Sequence, residues 1–223
     1  MKPLPWSHSA LDLFLQCPKR YYHTRVAKDI DDPPNEAAMW GDRVHRAFEA
    51  YLANGTPLDP ELSLYQEYLD KIKAIKGTLY PEYKMALDTK LTPCDWKASN
   101  VFVRAIADAL VVDNEYASLL DHKTGKPKPD SRQLQLSAIL TFAHFPNVSK
   151  VKTGFFWLKN RTYDSETFYR SEIPVLWANF LPDLNRFRLA FALGIWHPRQ
   201  SGLCAGWCPV TTCDYWKPKR VIK

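Results

Sequence analysis

Residues 101–125 read VFVRAIADALVVDNEYASLLDHKTG, and this stretch decides the fold. Apolar residues alternate with other residues on both sides of a short polar break at Asp113-Asn114-Glu115, which is typical of two strands joined by a tight turn. If Asn114-Glu115 is the loop, Asp113 pairs with Tyr116 in an antiparallel register. The stretch therefore predicts the central hairpin of a β-sheet.

This register sets two acidic side chains opposite each other. Asp108 lies across from Asp121, and Lys123 projects from the same face because strand side chains alternate. Two carboxylates that face each other in apolar surroundings repel, and they require a positive charge nearby. A hard divalent cation bound by carboxylate oxygens meets this requirement, and so does Lys123 acting as a simple counter-ion. The spacing alone leaves both interpretations open.

The segments around the hairpin alternate between helical and strand periodicity, which favours a mixed α/β or α+β domain whose β-sheet is flanked by helices. Glu82, on the strand before the hairpin, is a further acidic candidate. The predicted helices cover residues 10–16, 35–54, 59–77, 131–145 and 174–193, and the predicted outer strands cover residues 83–91, 150–159 and 162–172.

Composition is that of an ordinary globular protein. The chain has 223 residues, is 46% hydrophobic and 24% charged, and carries a net charge of +6. These values exclude a disordered, collagen-like or coiled-coil protein, and we expect a single domain over residues 1–223. No apolar run is long enough for a membrane span and the amino-terminal residues lack a signal sequence, so the expected compartment is the cytoplasm, or a host cytoplasm if a phage encodes the chain. No glycine-rich phosphate loop is present, so ATP should not be needed within this polypeptide.

Four of the five cysteines form a second constellation. Cys204, Cys208 and Cys213 lie in a basic carboxyl-terminal extension over residues 196–223, and we expect this extension to pack on the amino-terminal segment around Cys17. Four thiols are the number required by a four-iron cluster or by structural zinc, while simple burial of the thiols is the third interpretation. Cys94 is left over.

Several sequence blocks, in this order, resemble the PD-(D/E)XK nuclease superfamily, and the nearest branch is the RecB-like one. The amino-terminal SHSALDLFLQCPKRYY and the carboxyl-terminal SGLCAGWCPVTTCDYW resemble the end blocks of that branch. The inner blocks are Gly41-x-x-x-His45 on a helix, Asp108 on a strand, Asp121-x-Lys123-Thr124-Gly125 on the next strand, and Gln133-Leu134 at the start of a helix.

The resemblance implies a restriction-endonuclease-like core and a role for each matching residue. His45, Asp108 and Asp121 would be ligands of Mg²⁺ or Mn²⁺, helped by the main-chain carbonyl of His122. Lys123 would be the catalytic lysine and Gln133 an accessory residue that orients the substrate or the lysine. Cys17, Cys204, Cys208 and Cys213 would hold a 4Fe-4S cluster, with zinc as the alternative; their inner spacing is x3 then x4, where the relatives usually have x2 then x5.

The implied activity is metal-dependent hydrolysis of phosphodiester bonds at DNA ends, in recombination, repair or phage genome processing. DNA is the expected partner, and a recombination or annealing protein is a second candidate; the oligomeric state is not predicted. The alternatives are a nuclease of the CRISPR-adaptation type and a non-catalytic iron-sulfur subunit that binds DNA.

Overall fold

The computed structural model describes residues 4–127 and 131–218. Within these residues, five strands form one mixed sheet in the order β1-β2-β3-β4-β5. Neighbouring strands are antiparallel, except that β3 and β4 are parallel because a helix carries the chain back along the sheet between them. The strands are β1 (Thr78–Asp88), β2 (Val101–Asp113), β3 (Tyr116–Lys123), β4 (Lys150–Trp157) and β5 (Thr162–Tyr169).

Helices precede, interrupt and follow these strands along the chain, and the predicted fold class of a mixed sheet with helices is confirmed. The described helices are α1 (His8–Gln16), α2 (Pro18–Tyr21), α3 (Glu36–Asn54), α4 (Gln66–Lys73), α5 (Arg132–His144), α6 (Ile173–Ala178) and α7 (Leu181–Leu193). None of them is long and apolar enough to cross a lipid bilayer.

The chain divides into two compact units, which are described separately. The sheet unit is Pro34–Trp177, and the terminal unit combines Met1–Pro33 with Ala178–Lys223. Residues 128–130 in the segment after β3 and the basic residues 219–223 of the predicted extension lie outside the described residues.

Local sequence signals explain where α3 begins and ends. Asn35 caps the helix, because its side-chain oxygen accepts a hydrogen bond from the Ala38 N–H at 2.9 Å. Gly55 ends it in the left-handed region at φ 71°, as a glycine at this position readily does. Both ends agree with the prediction. The predicted helix over residues 59–77 is instead divided: a 3₁₀ segment, Pro60–Tyr65, precedes α4, which ends at Lys73.

The core of the sheet unit lies between one face of the sheet and helices α3 and α4. Leu120 belongs to this core, so its neighbour Asp121 points to the opposite face, towards α5. The buried core residues are Val44, Phe48, Tyr51, Leu52, Leu62, Leu69, Ile72, Ala109, Val111, Leu120, Phe156 and Leu158. Alternation along β3 therefore places the candidate catalytic carboxylate on the face towards α5, where Leu119 is also buried.

Gly154 on β4 allows the ring of Tyr163 to lie directly on the sheet. A Cβ atom at this position would meet the Cζ, Oη and Cε2 atoms of that ring at 2.4 to 2.5 Å. We expect Gly154→Ala to lower the free energy of unfolding by about 1 to 2 kcal/mol, because the tyrosine must leave its packed position. Chemical denaturation would measure this loss, and the double variant Gly154→Ala/Tyr163→Ala should show no further cost from the added methyl group. Equal costs of the methyl group with and without the ring would contradict the explanation.

The terminal unit joins the two ends of the chain through an aromatic core. The rings of Phe14 on α1 and Phe187 on α7 lie 5.1 Å apart. Trp196 packs at 4.9 Å from Phe191 and stacks on Tyr21 at 6.1 Å. Because α1 and α7 share one set of buried rings, segments that are distant in sequence are held together.

Candidate active site

The site begins where strands β2 and β3 separate. Asp113 pairs with Tyr116, as predicted, and the ladder continues to Ala109 and Leu120. Asp108 occupies the next position of β2, and its carboxylate accepts the main-chain N–H of His122 at 2.5 Å. A side chain therefore takes a hydrogen bond from the backbone of the adjacent strand, which holds the carboxylate of Asp108 between the two strands.

Asp121, Lys123 and Gln133 form a closed polar group next to this point. The ammonium nitrogen of Lys123 lies 2.6 Å from Oδ1 of Asp121 and donates a hydrogen bond to Oε1 of Gln133 at 2.9 Å. The side-chain amide of Gln133, at the start of α5, donates to Oδ2 of Asp121. Oδ1 of Asp121 is therefore paired with the ammonium group, and Oδ2 is paired with Gln133.

His45 approaches Asp108 from helix α3. Its Nδ1 lies 3.2 Å from Oδ1 of Asp108. Gly41, one turn earlier, allows this approach, because a Cβ atom there would already lie 3.3 Å from Oγ1 of Thr124, which follows the lysine. The Gly41-x-x-x-His45 spacing thus has a packing explanation: the missing side chain brings the helix close to the Lys123-Thr124 segment.

Glu82 joins the site through an unusual backbone conformation. Its φ is 46°. The pairing of β1 with β2 is interrupted at Glu82, between the Pro81–Ala109 pair and the Tyr83–Ala107 pair, and the register is the same on both sides. Its Oε1 lies 3.8 Å from Nδ1 of His45. Non-glycine residues with positive φ are uncommon within a strand, and this local departure from strand geometry occurs where the carboxylate of Glu82 approaches the imidazole.

The electrostatics of the site follow from burial and from the opposed charges. Burial raises the pKa of Asp121 to about 6, with a further increase from Asp108, while Lys123 opposes the shift. Burial lowers the pKa of His45, but hydrogen bonds to Asp108 and Glu82 outweigh it and raise the pKa to about 10. For Asp108, burial acts upward, yet the interaction with His45 leaves its pKa lowered. A protonated His45 therefore balances part of the negative charge, and a metal ion must displace that proton to bind.

The imidazole of His122 is part of this neighbourhood, although the resemblance implied a role only for the main-chain carbonyl of this residue. Strand alternation turns the side chain towards α3 and α4, where it is buried. Burial lowers its pKa to about 4, so the ring is neutral. The ligand atoms of His45, Asp108 and His122 all lie within 4.8 Å of one another, which makes these residues candidates for holding a metal ion.

The four predicted cluster ligands lie in the terminal unit, and all four line one small cavity together with Arg20. The Arg199 N–H points to Sγ of Cys17 at 3.5 Å. Burial raises the pKa of the Cys208 thiol, whereas the Val210 N–H and Arg20 favour its thiolate. All five cysteines are free thiols. Ligation by Cys17, Cys204, Cys208 and Cys213 stays a prediction.

No curated protein matches the sequence significantly. A solved structure of a candidate exonuclease from Eubacterium rectale has a TM-score of 0.52 at 12% identity, with 98% of this chain and 89% of that chain covered. LHK-Exo in complex with dAMP has a TM-score of 0.44 at 14% identity, with 85% of this chain and 89% of that chain covered.

The first of these structures supports a shared fold. The profile of the PD-(D/E)XK nuclease superfamily matches residues 5–213, which is nearly the whole chain. This chain belongs to the PD-(D/E)XK nuclease superfamily.

Proposed function

We propose that this protein is a Mg²⁺- or Mn²⁺-dependent DNA exonuclease, which hydrolyses phosphodiester bonds at DNA ends in recombination, repair or phage genome processing. The observation that supports this most is the convergence of Asp108, Asp121, Lys123 and His45 from three elements on one partly open point of the sheet. Buried charges that cost stability without serving packing are typical of functional sites.

His45, Asp108, Asp121 and the main-chain carbonyl of His122 would hold the divalent ion. The donor set fits such an ion because three of the four donor atoms are oxygens and because Nδ1 of His45 already lies 3.2 Å from Oδ1 of Asp108. When bound, the ion lowers the pKa of a water molecule and neutralises charge on the phosphate.

The side chains of the protein perform the remaining tasks. Water adds to the phosphorus, the bond to the leaving sugar oxygen breaks, and that oxygen takes up a proton. The ammonium group of Lys123 stabilises the negative charge that grows on the phosphate oxygens in this step. Gln133 contacts both Lys123 and Asp121, so it fixes the direction in which the lysine points.

Gln133→Leu tests this positioning role. We expect the single-turnover cleavage rate to fall by about 10- to 100-fold, because Lys123 and Asp121 each lose the partner that orients them. Gln135→Leu, two residues further on the same helix, is the matched control and should cleave at nearly the wild-type rate. A wild-type rate for Gln133→Leu would show that the lysine needs no support from α5.

End-labelled linear DNA and the same DNA as a closed circle test the proposed activity. We expect the linear substrate to be degraded with Mg²⁺ and with Mn²⁺, and the circle to be spared. The preference for ends rests on the resemblance of the two terminal blocks to the RecB-like branch. Binding of DNA without cleavage of either substrate in both metals would favour the non-catalytic subunit instead, and equal cleavage of circle and linear DNA would favour an endonuclease.

We further propose that the four cysteines of the terminal unit hold a 4Fe-4S cluster. The site fits such a group because the four thiols line one cavity and because backbone N–H groups point to two of the sulfur atoms. Hydrogen bonds of this kind tune and stabilise thiolate ligands. Zinc is the alternative occupant, and elemental analysis of protein purified without air distinguishes the two.

A further inference from the structure

The imidazole of His122 is a buried polar group that the sequence left without a role. Its side chain is 1% exposed. Among the residues that the structure describes, neither ring nitrogen has a hydrogen-bond partner. Buried polar side-chain atoms are nearly always paired, so an unpaired imidazole inside a protein requires an explanation, and a bound ion is one of the few available.

The ring is held rigidly beside the candidate metal ligands. It packs edge-on against Phe48 at 5.0 Å and against Tyr68 at 5.6 Å. Its Nδ1 lies 3.8 Å from Oδ2 of Asp108, whose other oxygen lies 3.2 Å from Nδ1 of His45. One carboxylate therefore has an imidazole nitrogen close to each of its two oxygen atoms.

We propose that the side chain of His122 is itself a ligand of the divalent ion, in addition to its main-chain carbonyl. The ion then receives two imidazole nitrogens and Asp108 from one side of the site. This inference rests on the proposed metal-dependent function, because it concerns the same site. It adds a nitrogen ligand where the resemblance implied only a carbonyl oxygen.

A second imidazole changes which metals the site prefers. Mg²⁺ prefers oxygen ligands, whereas imidazole suits transition metals, and Mn²⁺ accepts mixed oxygen and nitrogen ligands. The nitrogen of His122 should therefore strengthen the binding of Mn²⁺ much more than the binding of Mg²⁺. This difference separates a ligand from a residue that only supports the fold, since a structural role would affect both metals alike.

His122→Phe is the direct test, because a phenylalanine ring can pack against Phe48 and Tyr68 as the imidazole does, and the substitution leaves the main-chain carbonyl in place. Titration of the full-length protein with Mn²⁺, followed by electron paramagnetic resonance, measures the Kd, and competition with Mg²⁺ gives the second Kd. We expect Mn²⁺ to bind about 10- to 100-fold more weakly in the variant and Mg²⁺ by less than about threefold. His144→Phe, a half-buried histidine of the same unit that bonds to the Ala86 carbonyl, is the matched control and should change neither Kd.

Unchanged Mn²⁺ affinity in His122→Phe, or an equal loss for both metals, would overturn the proposal while leaving the nuclease assignment intact. Failure of the wild-type protein to bind either metal would instead contradict the proposed function. If His122→Phe does not fold, pulsed resonance of Mn²⁺ in His45→Phe decides the matter. Coupling to one imidazole nitrogen must remain in that variant, and its complete loss would exclude His122 as a ligand.

Discussion

Asp121→Asn is expected to lower the rate of phosphodiester cleavage by at least about 10³-fold. The substitution keeps the size of the side chain but removes the charge that would bind the metal ion, and it replaces one accepting oxygen with an NH₂ group. Binding of DNA should persist, because the rest of the positively charged protein is unchanged. Single-turnover cleavage and a binding titration on the same labelled DNA measure both effects.

The same substitution should stabilise the metal-free protein near neutral pH. The pKa of Asp121 is raised in the fold from 3.8 to about 6, so ionisation of this group opposes folding. The penalty is absent below the ordinary pKa and fully present above the raised pKa. With a chelator present, Asp121→Asn should therefore gain about 1 to 3 kcal/mol over the wild type at pH 8, and the gain should vanish near pH 4.

Asp113→Asn is the matched control for both measurements, because Asp113 is a carboxylate at the hairpin end of the neighbouring strand β2, away from the site. Its carboxylate lies 3.1 Å from the ammonium group of Lys76 at the surface. It should retain activity within about twofold, since exposed ion pairs contribute little. An Asp121→Asn protein that cleaves within tenfold of the wild type would remove the basis for the assigned mechanism.

The hairpin could be predicted because two simple regularities agree there. Strand side chains alternate, and a two-residue loop fixes the register, so the position of Asp108 relative to Asp121 follows from counting residues. The ends of α3 were predictable for a similar reason, since Asn35 and Gly55 satisfy the unpaired backbone groups at the helix termini. Signals that act over a few neighbouring residues are readable from sequence.

The positions of Glu82 and of the His122 side chain could not be predicted from local sequence patterns. The position of Glu82 depends on a left-handed backbone conformation, and the local sequence Tyr-Pro-Glu-Tyr does not predict this conformation. Alternation predicts that His122 points away from Asp121, and this is correct. However, the carboxylate of Asp108 lies between the strands, and only the three-dimensional structure shows that the ring of His122 is within reach of it. Tertiary packing determines these positions, and no local pattern encodes it.

Cys208→Ser is expected to have the largest effect on stability. If four thiols bind an iron-sulfur cluster, loss of one ligand should release the cluster during purification, because only three thiols would remain to hold it. The protein should lose its brown colour and its iron, and Tm should fall by more than about 10 °C, since metal ligation contributes directly to folding energy. The amino-terminal and carboxyl-terminal segments, which share the aromatic core of the terminal unit, should unfold first.

Cys94→Ser is the matched control, because Cys94 lies in the sheet unit and is not among the residues that line the cysteine cavity. It should keep the iron content and the Tm of the wild type. Zinc without iron in the wild-type protein would correct the identity of the cluster but keep the ligands. Equal Tm values for Cys208→Ser and Cys94→Ser, with neither metal bound by the wild type, would show that the four thiols only pack in the interior.

Limited proteolysis distinguishes local from global unfolding. Cleavage of Cys208→Ser should begin within residues 196–218, because those residues lose the cluster that holds them to Cys17.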